Sequence, residues 1–270
     1  MTEVLASFLL PAREADETTW TSLRSIRDQS SDTIPYEILI RFDDDDDTYQ
    51  ELLPKIAEIF DGSMAEVTVV IGSRHGYEGL HEYYNELAAL SVGKLLVLWN
   101  DDVQILPVKV GWDVTGEKID YPTWERWDLT LQEDEENRED HINVLFPTEV
   151  YWDLPEAGPD VAYEKGITAL AFPILTRSAY EVMGRLSPSP LNDAYLLDIS
   201  TLKLDGKPTR KRSRIMLLHQ PAFDEKTGLG WRAETESYKT AYYSHYSDEI
   251  RKEVDKDKEK LQKYWEERNG

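Results

Sequence analysis

The stretch YEILIRFDDDDDTY, Tyr36 to Tyr49, runs an apolar strand straight into five consecutive carboxylates. Like charges at neighbouring positions repel. Asp43 to Asp47 therefore sit together only where water, backbone amides, a cation or a partner's donors offset that repulsion. A solvated loop meets the condition, and so does a binding site. The surrounding chain decides between the two.

Upstream, Val4 to Leu10 is a continuous apolar run stopped by Pro11, as expected of a strand covered on both faces. Trp20, Leu23, Ile26 and Arg27 follow at helical spacing after the polar run Glu14 to Thr19, and the helix fades by Ser30 and Ser31. Downstream, Leu52, Leu53, Ile56, Ile59 and Phe60 mark an amphipathic helix with Gly62 as its stop. Val67 to Ile71 reads as a third strand. Leu80, Tyr83, Tyr84, Leu87 and Ala88 form another helical stripe closed by Gly93, and Leu95 to Trp99 make a fourth strand ending on Asn100-Asp101-Asp102. Strands alternating with helices imply right-handed crossover units and a parallel sheet, whose ligands collect at the carboxyl ends of the strands. Both acidic clusters are expected there.

The rest of the chain is less regular. Residues 112 to 165 hold tryptophans, tyrosines and prolines, and Glu133 to Asp140 reads as a mobile acidic surface loop. Thr168 to Leu175 is expected to be a strand and Ser178 to Leu186 a short helix; Tyr195 to Leu197 belongs to a helix or a strand. The basic KPTRKRSR reads as a solvated loop before the strand Ile215 to Leu218, which His219 closes. From Ser247 the chain is a charged helix with Ile250, Val254, Leu261, Tyr264 and Trp265 near one stripe, suited to packing or to self-association.

Bulk properties narrow the function. The chain has 270 residues, enough for a sizeable core, and 53 acidic against 30 basic residues give a formal charge of −23. Such a field repels nucleic acid and anionic membranes. Cysteine is absent, which excludes disulfides and thiolate metal sites. The opening MTEVLASFLLPARE suits a first strand better than a secretory signal, and no apolar run reaches the roughly 20 residues that span a bilayer. The expectation is a soluble cytoplasmic protein.

Four constellations carry chemistry. Asp43, Asp45 and Asp47 alternate like a calcium loop, but Thr48 and Pro54 occupy the positions where that loop needs glycine and glutamate. A carboxylate at the tip of a parallel strand instead accepts hydrogen bonds from a nucleotide's base or ribose. The pair after LLVLWN suits a hard divalent cation bound to diphosphate oxygens, although Asn-Asp clusters are also ordinary turn chemistry. Asn192-Asp193 reads equally as a helix cap. Among His75, His81, His141, His219 and His245, only His219 directly follows a buried strand, as a metal ligand or a core-edge histidine.

Taken in order, SFLLPAR, WTSLRSIRDQ, EILIRFDDDDDT, GYEGLHEYYNELAALSVGKLLVLWNDDV and FPILTRSAYEVMGRLSPSPLNDAYL resemble a family-2-type glycosyltransferase of the GT-A fold, over roughly residues 4 to 220. The resemblance implies an α/β fold with a Rossmann-like, mainly parallel sheet flanked by helices. It implies a nucleotide-sugar-binding half over residues 1–105, an acceptor-binding half over 106–235 and a helical tail over 236–270. By the same resemblance, Pro11, Ala12 and Arg13 line the nucleotide pocket and Asp43 and Asp44 contact the base or ribose. Asp102 holds Mn2+ or Mg2+ against the donor diphosphate with Asp101 nearby, His219 completes the metal site, and Asp193 is the general base. The implied reaction is inverting transfer from a nucleotide-sugar, expected to be a UDP-sugar, to an acceptor hydroxyl of a glycan, a small molecule or a modified nucleic acid.

Two positions depart from the family pattern: Asn100 replaces the first acid of the metal motif, and Asn192 leaves Asp193 as the only base at its site. A non-catalytic nucleotide- or sugar-binding module of the same fold is the alternative that Asn100 supports. A sugar-phosphate nucleotidyltransferase would need a glycine-rich phosphate loop, and PAREADET contains no glycine.

Overall fold

The structure, a computed structural model, describes residues 3–105, 111–112, 118–119, 126–136, 142–151, 172–219 and 236–269. Its frame is an eight-stranded sheet in the order β3-β2-β1-β4-β9-β8-β12-β5. These strands are β1 (Ala6–Pro11), β2 (Tyr36–Asp43), β3 (Ala65–Gly72), β4 (Leu95–Leu98), β5 (Val103–Ile105), β8 (Val144–Tyr151), β9 (Ile174–Thr176) and β12 (Arg210–His219). The first four run parallel; β9 is antiparallel to β4 and β8, β12 is parallel to β8, and β5 is antiparallel to β12. Two small ribbons complete the strands, β6 (Gly111–Trp112) with β7 (Lys118–Ile119) and β10 (Lys203–Leu204) with β11 (Lys207–Pro208).

Side chains alternate across a strand, so a sheet covered on both faces needs apolar residues at every position. Phe8, Leu10, Ile38, Ile40, Val97 and Trp99 enter one core, while Leu9, Leu39, Leu96 and Leu98 enter the other. Helices α1 (Glu17–Asp28), α2 (Tyr49–Ile59) and α4 (Trp127–Glu136) cover the first face through Trp20, Leu23, Leu52, Ile56, Trp127 and Leu131. Phe8 meets Trp127 edge-on at 4.8 Å and Trp99 at 5.3 Å between ring centroids. The second face is covered by α3 (Leu80–Leu90), α5 (Arg177–Met183), α6 (Asn192–Ile199) and α8 (Asp248–Asn269); α7 (Glu236–His245) packs beside the short 3-10 turn Tyr77–Gly79.

Local chemistry fixes where these elements begin. Asp16 caps α1, its carboxylate accepting from the amides of Thr18 and Thr19 while the Thr19 hydroxyl accepts from the Asp16 amide. At the amino edge of the sheet, Gly93 lets α3 turn into β4, because a Cβ there would lie 2.5 Å from Ser7 Oγ and 2.7 Å from the Ala6 carbonyl carbon.

The structure corrects three expectations. Glu133 to Glu136 lie in helix α4 rather than a loop, because Trp127 and Leu131 anchor that helix in the core; residues 137–140 are outside the described residues. Arg210 to Arg214 form the first half of β12, paired with Val144 to Phe146, with Ser213 and Ile215 buried on one face and the Arg210 cation stacked 5.3 Å from the Phe146 ring. The strand expected over Thr168 to Leu175 is ordered as Ile174–Thr176, with residues 168–171 outside the described residues. The apolar positions Ile250, Val254 and Leu261 of α8 are buried within the chain, with Tyr264 and Trp265 packed beside them. Among the described residues no helix is long and apolar enough to cross a membrane.

Candidate active site

The carboxyl ends of β1, β2 and β4 lie side by side and gather the predicted donor-site residues. Pro11 pairs with Arg41 across the two strands, and the Ala12 amide donates to the Arg41 carbonyl at 2.9 Å. Arg13 then reaches back over the acidic run, its Nη1 donating to Asp43 Oδ2 at 2.9 Å and Asp45 Oδ1 at 2.8 Å. The pairing with Asp45, foremost, raises the Arg13 pKa further and keeps the guanidinium charged.

The five aspartates divide by environment. Asp43 is 5% exposed; its Oδ1 accepts from Arg41 Nη1 at 3.0 Å and the Tyr83 hydroxyl at 2.7 Å, so both of its oxygens are engaged. Asp46 is buried as well, so the run is not a uniformly solvated loop. It accepts from the Glu14 amide at 2.7 Å and the Thr48 hydroxyl at 2.7 Å. Burial works to raise its pKa, but the hydrogen bonds from Thr48 and the Glu14 amide outweigh it, and the net direction is down. Asp45 is exposed and shared between Arg13 and Arg74, the latter at 3.4 Å. Asp44 and Asp47 are exposed, and Asp44 donates its amide to the Gly72 carbonyl at 2.8 Å.

One helix ties the site together. Four consecutive residues of α3, Tyr83 to Glu86, each hold a different part. Tyr83 donates to Asp43. The Tyr84 hydroxyl is 2.7 Å from Asn100 Oδ1 and 3.0 Å from the Trp99 carbonyl. The Asn85 amide donates to the Ser187 carbonyl at 2.7 Å, and its oxygen accepts from the Leu186 amide at 2.7 Å. Glu86 Oε2 accepts from Arg41 Nε at 3.0 Å and Oε1 lies 3.0 Å from His75 Nε2. Arg41, 1% exposed, also donates to the Phe42 and Ser73 carbonyls and stacks 4.6 Å from the Tyr83 ring. In the sequence Tyr83 and Tyr84 read as part of a helical stripe and Arg41 as part of an apolar strand, without these contacts. The available signal was an arginine inside an otherwise apolar strand and two tyrosines on a buried helical face, since buried polar tips need partners.

The predicted metal motif, Asn100 to Asp102, sits in the turn after β4. Its backbone is fixed from α1, where Ser22 donates to the Asn100 carbonyl at 3.2 Å and accepts from Trp99 Nε1 at 2.9 Å. The Asn100 amide oxygen accepts from Tyr84, which makes Asn100 a structural member of the turn. Asp101 is half-buried and Asp102 is 9% exposed. Strand register places His219 opposite Val103, the residue after Asp102, so two distant parts of the sequence meet at this turn. Two neighbouring carboxylates suit a hard divalent cation. Among the described residues, no group of three or more His, Cys, Asp or Glu forms a ready-made metal cage.

Asp193 lies in the first turn of α6. It keeps a minor part of its surface exposed, and burial pushes its carboxyl pKa up, opposed by the amides of Ala194 and Asp193 and by His245. His245 is buried; its Nδ1 lies 3.0 Å from Ser189 Oγ, and its Nε2 3.6 Å from Asp198. Burial lowers its pKa. Through Asn85 the Leu186–Ser187 turn is pinned to the helix that also holds Asp43 and Asn100. The turn before Asp193 is thereby tied to the carboxyl ends of β2 and β4.

No protein-family model matches the chain, and no curated protein matches it in sequence. Solved structures do. The mannosyltransferase PcManGT from Pyrobaculum calidifontis, in complex with GDP-Man and Mn2+, aligns with a TM-score of 0.60 at 13% identity, covering 93% of this chain and 65% of that one. S. aureus TarS, residues 1–349 in complex with UDP-GlcNAc, aligns at 0.52 and 12% identity over 82% of this chain and 60% of its own. This chain thus spans less than two thirds of either. At such identities the shared property is the fold, and the fold of this chain is that of GT-A-like glycosyltransferases.

Proposed function

We propose that the protein is an inverting glycosyltransferase of the family 2 type that moves a sugar from a nucleotide-sugar to an acceptor hydroxyl. The observation that carries this reading is the α3 segment Tyr83–Asn85, which binds the acidic strand end, the Asn100 turn and the loop before Asp193 in consecutive residues. A site that handles three substrate parts needs these three loops in fixed relation. The ligands named with the aligned structures, GDP-Man with Mn2+ and UDP-GlcNAc, support a nucleotide-sugar donor.

In this reading residues 1–105 bind the donor, 106–235 shape the acceptor side and 236–270 form the tail. Pro11, Ala12 and Arg13 wall the nucleotide pocket, Asp44 offers its exposed carboxylate to the base or ribose of a UDP-sugar, and Asp43 acts by fixing Arg13. Asp102 and His219 would hold Mn2+ or Mg2+, which when bound neutralises charge on the departing diphosphate, and Asp101 lies beside the donor. Asp193 takes the proton from the acceptor hydroxyl as that oxygen bonds the anomeric carbon. The bond from that carbon to the diphosphate breaks, its electron pair leaving with the diphosphate, and attack opposite the leaving group inverts the carbon. A raised carboxyl pKa makes Asp193 a stronger base, at the cost of protonation in mild acid.

The test is release of nucleoside diphosphate from UDP- and GDP-sugars with Mn2+, comparing the natural chain with Asp193→Asn. Release that requires Asp193 supports the reading. Donor binding without any release identifies a non-catalytic module, and equal release by both proteins removes Asp193 as the base.

A further inference from the structure

The turn SPSPLN, residues 187–192, delivers Asp193 to the first turn of α6. Proline has no amide hydrogen, so the two serines supply the polar contacts that fix this turn, and both are fully buried. Ser187 Oγ accepts from the Ser189 amide at 2.9 Å and donates to the Ser189 carbonyl at 3.0 Å, while Asn85 of α3 holds the Ser187 backbone. Ser189 Oγ accepts from the Leu191 amide at 3.3 Å. Its own proton then goes to the one acceptor in reach among the described residues, His245 Nδ1 at 3.0 Å.

His245 comes from the C-terminal segment as the last residue of α7, and it is 3% exposed. A hydroxyl that donates to Nδ1 puts the ring proton on Nε2. That nitrogen lies 3.6 Å from Asp198 Oδ2 on α6. The ring therefore bridges the turn before Asp193 and the helix that Asp193 opens. An apolar side chain would fill the same space with no polar atoms to satisfy, so an imidazole engaged at both nitrogens points to its own chemistry.

The neighbouring charges show what that chemistry acts on. Burial lowers the His245 pKa, and two carboxylates of α6, Asp198 and Asp193, oppose it; Tyr246 adds a ring contact at 4.8 Å between centroids. The Asp198 side chain is 50% exposed, so water screens it. Asp193 is largely withdrawn from water. Burial raises its pKa, and among the described residues His245 is the one ionisable side chain that opposes this.

We infer that His245 is a positioning residue for Asp193, locking the turn and helix that carry this carboxyl and accepting the proton that would otherwise neutralise it. This rests on the reading of Asp193 as the general base. Two interacting groups in one buried cluster titrate as a pair. A proton that settles on the imidazole in mild acid leaves Asp193 anionic, and the positive ring then favours that anion. The C-terminal segment is thereby a working part of the Asp193 site.

The experiment follows the histidine rings by NMR, and diphosphate release from UDP- and GDP-sugars with Mn2+, both across pH. The natural chain, Asp193→Asn and His245→Asn are compared at full length. Asparagine keeps an acceptor near the Nδ1 position and cannot titrate, and the signal missing from His245→Asn identifies the ring. In Asp193→Asn the His245 pKa should fall by about one unit, because the anion that favoured the charged ring is gone. In His245→Asn the acid limb of release should move about one unit toward neutral pH, because no ring remains to carry the proton. A merely structural histidine would change the rate and leave the limb in place. An unchanged His245 pKa in Asp193→Asn overturns the inference, and so does an unmoved limb in a His245→Asn that circular dichroism shows to be folded. Where that variant does not fold, the ring titration in Asp193→Asn decides. Absence of release by the natural chain at every pH removes the transferase reading, and the same ring titration still decides whether imidazole and carboxyl titrate as a pair.

Discussion

Asp43 and Asp193 are the same side chain in opposite circumstances. Asp43 closes β2 with Arg13, Arg41 and Tyr83 donating to its two oxygens, whereas Asp193 opens α6 with burial pushing its carboxyl toward the protonated form. The first is held in place by three donors and organises other residues. The second is a carboxyl whose proton is worth exchanging. What separates the two carboxylates is the number of donors already spent on each, and neither the residue type nor its position in an element reveals that number.

The largest expected effect lies on the Asp193 side. Asp193→Asn should lower turnover by roughly 10²- to 10⁴-fold, the usual contribution of a general base, with donor affinity unchanged. Its effect on stability runs the other way. A carboxyl whose folded pKa is raised stabilises the fold only while protonated and loses that contribution as pH rises, so removing the charge should raise the melting temperature at neutral pH. A melting temperature that falls would show that the Asp193 carboxylate is supported like Asp43.

On the Asp43 side, Arg41→Leu removes the buried cation that Asp43, Glu86 and two carbonyls share. Breaking a buried pair from one side costs about 3–5 kcal/mol, readable as a drop in the unfolding midpoint in urea. A loss below about 1 kcal/mol, the typical net worth of one hydrogen bond, would mean that the arrangement is dispensable. Tyr84→Phe is the milder probe. Losing one hydroxyl to Trp99 and Asn100 should cost about 1 kcal/mol in stability and weaken Mn2+-dependent donor binding.

The pH responses should separate Asp193 from Asp46, the buried neighbour of Asp43, least dramatically but most diagnostically. Activity should fall as pH drops through the raised Asp193 pKa, above the ordinary aspartate value of about 3.9. Asp46, whose folded pKa is depressed, contributes stability above its unfolded pKa and loses it only as pH falls through the depressed value. Activity should therefore vanish in mild acid while the fold persists, and coincident loss of both would argue that unfolding alone sets the acid limb.

Much of this arrangement is legible in the sequence. Mostly apolar strands, amphipathic helices between them and acids at the strand ends lead to a parallel sheet with its site at the carboxyl edge, and Ala6–Pro11, Tyr36–Asp43, Ala65–Gly72 and Leu95–Leu98 pair as that reading requires. The division of labour within the five aspartates is not legible, because it depends on Arg13 returning across 30 residues and on Tyr83 arriving from 40 residues downstream. The same holds for the basic run before Ile215. Charge counting reads it as a loop, while β8 supplies a strand partner that only the tertiary fold provides.

The most direct test of the central claim is a thermal titration of the natural chain and of Asp102→Ala with UDP- and GDP-sugars, each with and without Mn2+. Ligand that binds only the native state raises its stability in proportion to affinity. The account predicts stabilisation by one nucleotide class that requires Mn2+ and disappears in Asp102→Ala. No shift with any donor, or an equal Mn2+-dependent shift in the variant, would contradict it.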